Sequence, residues 1–328
     1  MRPSEIAHLC GVSGPRWAGD AVDVVTGANV FSEKDFDVPG PVKLQWRRNY
    51  DHRWAAQDRD FGLGFRHTLE QWLCFDVDGL TFIGAEGEEV RFPYLDEDGA
   101  SATGAGFRLR RVSADRYELS KHAQPTRVFS RVRGREWPVA ALCEGGEEVR
   151  VERDEATTQV IALWIDADRA LRFAYDEQGH LVRIRMYDRR IQEPLDMVRY
   201  SYDGPRLAQV VDVYKQRIGY EYDALDRMTR HTDATGYAFL FEYDRQDRCV
   251  SSCGEDGLLS VWLTYRPDAG ETELIDANGG TWLYEYDQRE NLLAIVDPEG
   301  GRTLFERDGQ GALLAEVDPG DATGLVGA

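Results

Sequence analysis

A tyrosine followed by an aspartate recurs through the second half of this 328-residue chain, at Tyr202-Asp203, Tyr222-Asp223, Tyr243-Asp244 and Tyr286-Asp287. Tyr265 keeps the tyrosine without the acid, and a second set of aspartates falls at Asp233, Asp276, Asp297 and Asp318. Carboxylates in such numbers could serve as acid–base pairs or hold calcium, and phenol rings could stack on sugars. Catalysis needs one asymmetric cluster of groups in different roles. Identical pairs spread along the chain fit that need poorly and point to a structural part, so no catalytic residue is expected.

Other chemistry fares no better. The acidic turns "DVDG" at 76–79 and "DEDG" at 96–99 fail the calcium-loop pattern. From Asp76 the later ligand positions fall on Leu80 and Gly87, and from Asp96 on Ala100 and Phe107. The histidines, His8, His52, His67, His122, His180 and His231, show no paired metal spacing. Cys10, Cys74, Cys143, Cys249 and Cys253 are odd in number and sparse, which reads as reduced thiols rather than a disulfide framework. There is no phosphate-binding glycine loop and no nucleophile elbow. No metal, nucleotide or other cofactor is expected.

The elements that carry these residues follow from their spacing. The second tyrosine of the phrase advances by 20, 21, 22 and 21 residues from Tyr202 to Tyr286, and Asp276, Asp297 and Asp318 keep the same step of 21. In "GYAFLFEYD", Tyr237, Phe239, Phe241 and Tyr243 alternate, which places them on one face of a strand. Polar turns such as "DALDR" and "DATG" follow each strand. One unit is therefore a β-hairpin, and successive hairpins should lie side by side, with each tyrosine packing or stacking on the next hairpin's tyrosine and the aspartate fixing the turn. The only helix candidate, "PSEIAHLCG", is too short to stand alone. The fold class is all-β: an N-terminal antiparallel β domain followed by repeat hairpins in a curved, shell-like sheet.

The totals narrow the partners. Thirty-nine basic and 59 acidic residues leave a net charge of −20, which disfavours nucleic acid. The basic run at 110–135 is broken by Asp115 and Glu118 and reads as a solvated strand face. No apolar run approaches the ~18–20 residues of a membrane span, and the N-terminus lacks the apolar core of a cleaved signal. A cytoplasmic protein is expected before export, and any export would proceed without a classical signal peptide.

The rhythm "YxYD…GxLxxVxDxxG" over about 170–320 resembles the YD repeat of bacterial Rhs proteins, toxin-complex C components and teneurins. "GDAVDVVTGANVFSEKDFDVPGPVKLQWRRNYDHR", "FGLGFRHTLEQWL" and "GEEVRFPY" resemble the domain of unassigned function that precedes such repeats. Ala21 and Phe65 stand where that family favours proline and tryptophan. The organisation expected is an N-terminal tail (1–19), the Rhs-type N-terminal domain (20–93), a β-rich connecting region (94–169) and YD repeats (170–328).

The resemblance implies a structural part of a polymorphic-toxin system associated with type VI secretion, forming the wall of a β-shell around a toxin. The implied partners are proteins: the rest of the shell, the toxin, a chaperone or a secretion tip. Strands ~4.8 Å apart around a cargo of ~130 residues require about 30 strands per turn. The six or seven hairpins expected here would form part of a shell and need completion by another chain. Two alternatives stand beside this reading. One is a carbohydrate-binding or cell-surface module using Trp282 and Tyr284. The other is a truncated effector with residual self-cleavage near Asp318-Pro319.

Overall fold

The computed structural model describes residues 15–132, 134–307 and 313–317. His8, Cys10 and the helix candidate, Asp318 and the segment after it lie outside the described residues. Among the described residues the regular structure is β throughout, apart from two short 3-10 turns at His52–Trp54 and Pro267–Ala269. The chain divides into two compact units. One holds the residues up to Phe31, Asp51–Arg53 and the chain from Gly219 onward; the other holds Ser32–Tyr50 and Trp54–Ile218.

In the Ser32–Ile218 unit, antiparallel strands follow one another in chain order from Ser101–Gly104 through Phe107–Ser113, Arg116–Lys121, Thr126–Ser130 and Glu136–Glu144. They continue through Glu147–Arg153, Val160–Trp164, Arg169–Tyr175, Leu181–Asp188 and Leu195–Asp203 to Arg206–Asp212. Nearest-neighbour pairing of this kind requires only local turns, which the Asp- and Gly-rich connections supply. Residues 94–169 thus run into the same sheet as the first repeat strands.

A side branch leaves at Glu136–Glu144. Glu136–Pro138 pair with Trp72–Cys74, and Ala141–Glu144 pair with Glu147–Arg150. The branch goes on through Leu80–Ile83 to Glu89–Phe92. Phe82 packs on Phe107 and Phe129, with centroids 5.3 and 5.9 Å apart, so the branch folds over the main sheet around an aromatic core.

Between these strands lies a polar core. Arg48 is fully buried and bonds Asp35 and Glu33, each at 2.8 Å. The Trp46 indole donates to the Tyr200 hydroxyl at 3.0 Å, and that hydroxyl donates to Asp35 at 2.5 Å.

In the other unit, strands Met228–Thr232, Ala238–Tyr243, Cys249–Gly254, Val261–Arg266, Glu271–Asp276, Thr281–Tyr286, Leu292–Val296, Arg302–Arg307 and Leu313–Val317 pair in order. One buried side chain sits two residues before each marker position: Tyr220, Phe241, Leu263, Tyr284 and Phe305. A second column, Met228, Cys249 and Leu292, is equally buried. These columns are the core of the repeat.

Candidate functional site: the tyrosine ladder and its clasps

The joins between hairpins explain the repeated phrase. The Tyr243 hydroxyl donates to the Met228 carbonyl at 2.8 Å, Tyr265 to Cys249 at 2.6 Å and Tyr286 to Glu271 at 3.2 Å. In the other unit Tyr175 donates to Val160 at 2.9 Å and Tyr202 to Leu181 at 2.7 Å. Each phenol therefore reaches a backbone carbonyl in the hairpin before it. Arg307 stands where the next tyrosine would fall, and its Nε donates to Leu292 at 3.1 Å. The guanidinium supplies the same donor.

A second contact sits on these rings. Arg227 lies over Tyr243 at 4.7 Å and Arg248 over Tyr265 at 4.8 Å. Cation–π contact of this kind contributes roughly 0.5–1 kcal/mol at exposed sites. A register shift precedes Tyr175, Tyr202, Tyr222, Tyr243 and Tyr286, because the facing strand carries one extra residue there. Such a bulge re-aims the side chain beside it, although Tyr265 makes the same bond from a strand paired in unbroken register.

The aspartates form one device at both edges of the sheet. Asp223 accepts the backbone N–H groups of Leu225 and Arg227 at 2.9 and 3.1 Å. Asp244 does the same with Gln246 and Arg248, and Asp287 with Arg289 and Asn291. At the opposite edge Asp233, Asp276 and Asp297 clasp the N–H groups two and four residues on. The two sets of aspartates, distinct markers in the sequence, thus build one turn. Its fourth residue is left-handed: φ is +63° at Asp226, +60° at Asp247, +90° at Gly236 and +86° at Gly300.

Burial disfavours the charged forms of Asp223 and Asp244, but bonds from Arg227, Arg248 and the turn amides outweigh it and hold both carboxyls below the ordinary range. Two markers depart from the pattern. Asp203 ends its strand at a tight Gly204-Pro205 loop, facing Arg206. Tyr265 is followed by a 3-10 turn closed by Gly270. Asp318 lies outside the described residues.

Within the unit that contains them, the N-terminal residues lie on this ladder. The Asn29 side-chain amide donates to the Tyr243 hydroxyl at 3.1 Å. The Cys249 amide donates to the Gly27 carbonyl at 2.8 Å. Gly27 has φ +75°, and a Cβ there would meet that of Arg248 at 2.4 Å, so no other residue fits. His52 Nδ1 accepts the Asn29 amide at 3.0 Å, which leaves Nε2 to donate to the Asp247 carbonyl at 2.7 Å. Burial holds the His52 imidazole below its usual pKa, consistent with this neutral tautomer. His231 stacks on Phe31 at 5.2 Å and contacts Asp20 at 3.3 Å.

In the Ser32–Ile218 unit Asp60 is the corresponding hub. Its carboxylate accepts from His67 Nε2 at 3.1 Å and the Gln159 amide at 3.4 Å, and lies 3.2 Å from the Tyr175 hydroxyl. Its carbonyl takes the Leu181 amide at 2.7 Å. His180 joins Asp58 at 3.0 Å and stacks on Tyr202.

Comparison with known proteins places these features in a family. The model of a domain of unknown function, DUF6531, matches residues 19–92, and the RHS Repeat model matches 222–257 and 267–302. Two similar curated proteins come from Dickeya dadantii strain 3937. One, named probable deoxyribonuclease RhsB, is 26% identical over 308 residues, covering 84% of this chain and 21% of its own. The other, probable deoxyribonuclease RhsA, is 31% identical over 264 residues, covering 76% and 18%. The chain is an Rhs/YD-repeat protein.

This Rhs/YD-repeat chain spans about a fifth of the length of those relatives. Among solved structures, TcdB2-TccC3 without its hypervariable C-terminal region aligns over 97% of this chain and 18% of its own, at 10% identity and a TM-score of 0.42. The Photorhabdus luminescens Tc holotoxin pore aligns over 73% and 17%, at 10% identity and a TM-score of 0.38.

Tyr175, Asp60, Asp20 and the buried histidines escaped the sequence reading of this Rhs protein. Tyr175 lies 27 residues before Tyr202, off the 21-residue step, although "AYDEQGH" carries the motif. The Asp–His pairs join positions 122 and 211 residues apart, which no spacing rule connects. Of the residues considered for sugar stacking, Tyr284 is 1% exposed and the Trp282 indole is tied to Asp276 at 2.9 Å. Burial closes the Tyr284 ring to a ligand, and the Trp282 ring is half-buried. Among the described residues, Cys74, Cys143, Cys249 and Cys253 are free thiols, no group of three or more His, Cys, Asp or Glu side chains is placed to hold a metal ion, and no helix is long and apolar enough to cross a membrane.

Proposed function

We propose that this chain is a non-enzymatic wall segment of an Rhs shell. Its hairpins form part of the enclosure that carries a toxin in a polymorphic-toxin system loaded through type VI secretion. One observation carries the reading: the same phenol-to-carbonyl join and the same aspartate turn recur from hairpin to hairpin. Identical joins suit a wall extended by adding units, because each unit contacts only its neighbours. Repeated positions of identical chemistry also argue against a reaction centre on them. The partners in this reading are proteins, namely the remaining wall, the enclosed cargo and the loading apparatus.

The test is to isolate the assembly from its native cells with an antibody to the 219–307 region, then image it by electron microscopy. The expected result is a hollow particle containing further YD hairpins and interior density. Particles without a lumen, or a chain that purifies alone and binds glycans, would replace the wall by the surface-module reading. Intact-mass measurement after prolonged incubation tests the self-cleavage reading, for which a fragment ending near Asp318 is required.

A further inference from the structure

A cavity of about 620 Å³ opens beside the Lys43–Arg47 stretch in the Ser32–Ile218 unit. Its walls carry two kinds of surface. Val38, Val42, Leu44 and Leu142 are apolar, and Lys43, Arg47 and Arg127 are cationic. In a chain with 20 more acidic than basic residues, none of these three cations forms an ion pair among the described residues. Arg47 is held by neutral acceptors: Ser32 Oγ at 2.8 Å, the Ser32 carbonyl at 2.9 Å and Gln45 Oε1 at 2.9 Å. Arg127 is held in the same way, with Nε donating to Gln71 Oε1 at 2.6 Å and Nη2 to Gln124 Oε1 at 3.0 Å.

The Arg127 Nη1 nitrogen is buried and has no hydrogen-bond partner. That nitrogen is itself out of reach of a ligand, so Arg127 acts on the cavity through its positive charge, for which a carboxylate is the matching group. The group is also fixed in place. Gln71 is buried, and its amide donates to the Thr68 carbonyl at 2.6 Å. Thr68 Oγ1 in turn accepts the Arg47 backbone amide at 2.8 Å, so one hydrogen-bonded chain positions both arginines on the wall.

The nearby carboxylates have other engagements or stand off. Asp37 bonds Lys34 at 2.8 Å, and Glu144 accepts the Lys43 backbone amide at 2.7 Å. Glu86 and Glu88 act on Arg127 from beyond ion-pair distance.

We propose that this cavity takes the side-chain carboxylate of an acidic residue flanked by apolar residues, presented on an extended segment of a partner protein. The charge selects the carboxylate, and the aliphatic wall selects its neighbours. A bare inorganic anion would use only half of the site, and a nucleic acid would meet the repulsion of the whole molecule.

The test is calorimetric titration of the full chain with N-acetyl-Leu-Glu-Val-amide, its Leu-Gln-Val counterpart and inorganic phosphate. The acidic peptide is expected to bind at least about ten-fold more tightly than the neutral one, as a charge-assisted bond requires. Arg127→Gln should remove that preference, and Lys43→Gln should weaken the acidic peptide about two- to three-fold in a salt-sensitive way. Equal binding of both peptides, or no binding of either at millimolar concentration, overturns the proposal. Phosphate that binds as tightly as the acidic peptide and displaces it would overturn the peptide assignment in favour of a simple anion site. Circular dichroism monitors folding of each variant. If Arg127→Gln does not fold, Lys43→Gln and Arg47→Gln decide, and unchanged acidic-peptide affinity in both refutes the site.

Discussion

Tyr243→Phe removes one oxygen that serves two bonds. The hydroxyl donates to the Met228 carbonyl at 2.8 Å and accepts the Asn29 side-chain amide at 3.1 Å. Tyr286 makes the ladder bond, to Glu271 at 3.2 Å, and serves as the internal reference. Loss of one such bond costs about 0.5–1.5 kcal/mol net, and orphaning a buried donor adds about 1–3 kcal/mol. Asn29 is fully buried, so its amide pays that second penalty in Tyr243→Phe. The expected losses are therefore about 2–4 kcal/mol for Tyr243→Phe and about 1 kcal/mol for Tyr286→Phe. Urea unfolding of the full chain measures both, and hydrogen exchange over residues 20–31 localises the effect. Adding Asn29→Ala to Tyr243→Phe should cost about 1 kcal/mol less than adding it to the wild type. Equal losses at the two tyrosines, together with an additive Asn29 effect, would refute the claim that the N-terminal segment is clasped through this hydroxyl.

Three further outcomes are expected. Gly236→Ala should destabilise by about 1 kcal/mol in urea unfolding, because φ is +90° while the added Cβ meets nothing within 4 Å; Lys215→Gly, at φ +68° in an equivalent turn, should change stability in the opposite direction. Arg48→Ala should cost about 3–5 kcal/mol, the price of leaving Asp35 and Glu33 without their buried partner, measured by thermal or urea unfolding. His52, whose pKa is lowered by burial, binds its proton more readily in the unfolded chain, so its contribution is present above pH about 6.5 and is lost as pH falls below that value. The stability difference between wild type and His52→Asn should shrink between about pH 6.5 and pH 5, and a constant difference would remove His52 as its source.

The repeat was legible because its markers are rare residues at a fixed step: aromatic rings for the buried strand face and aspartates for turns. The same signal implied a β-sheet of neighbouring hairpins, as the pairing from Met228–Thr232 to Leu313–Val317 bears out. The contact each tyrosine makes was not legible. It depends on which backbone carbonyl the ring meets in the preceding strand, and neither that carbonyl nor the bulge residue that accompanies most of these tyrosines, such as Val250 opposite Glu242 and Tyr243, has a distinctive composition. The unity of the two turn types was hidden as well, since the left-handed fourth position is glycine at Gly236 and aspartate at Asp226 and Asp247. The Asp20–His231 and Asp58–His180 contacts were beyond reach, because they join segments more than a hundred residues apart that no local pattern connects.

The shared aspartate turn has a genetic consequence. Because the chain leaves one hairpin and enters the next through equivalent geometry, an in-frame duplication or loss of about 21 residues joins a native exit to a native entrance. Recombination between neighbouring copies would then change the length of the array while preserving each remaining join. Asn29, Gly27, His52 and Arg16 set the boundary of that freedom: they engage Tyr243, Cys249, Asp247 and Glu290 individually, so the hairpins beneath them are fixed in number and order, while those after Glu290 can drift.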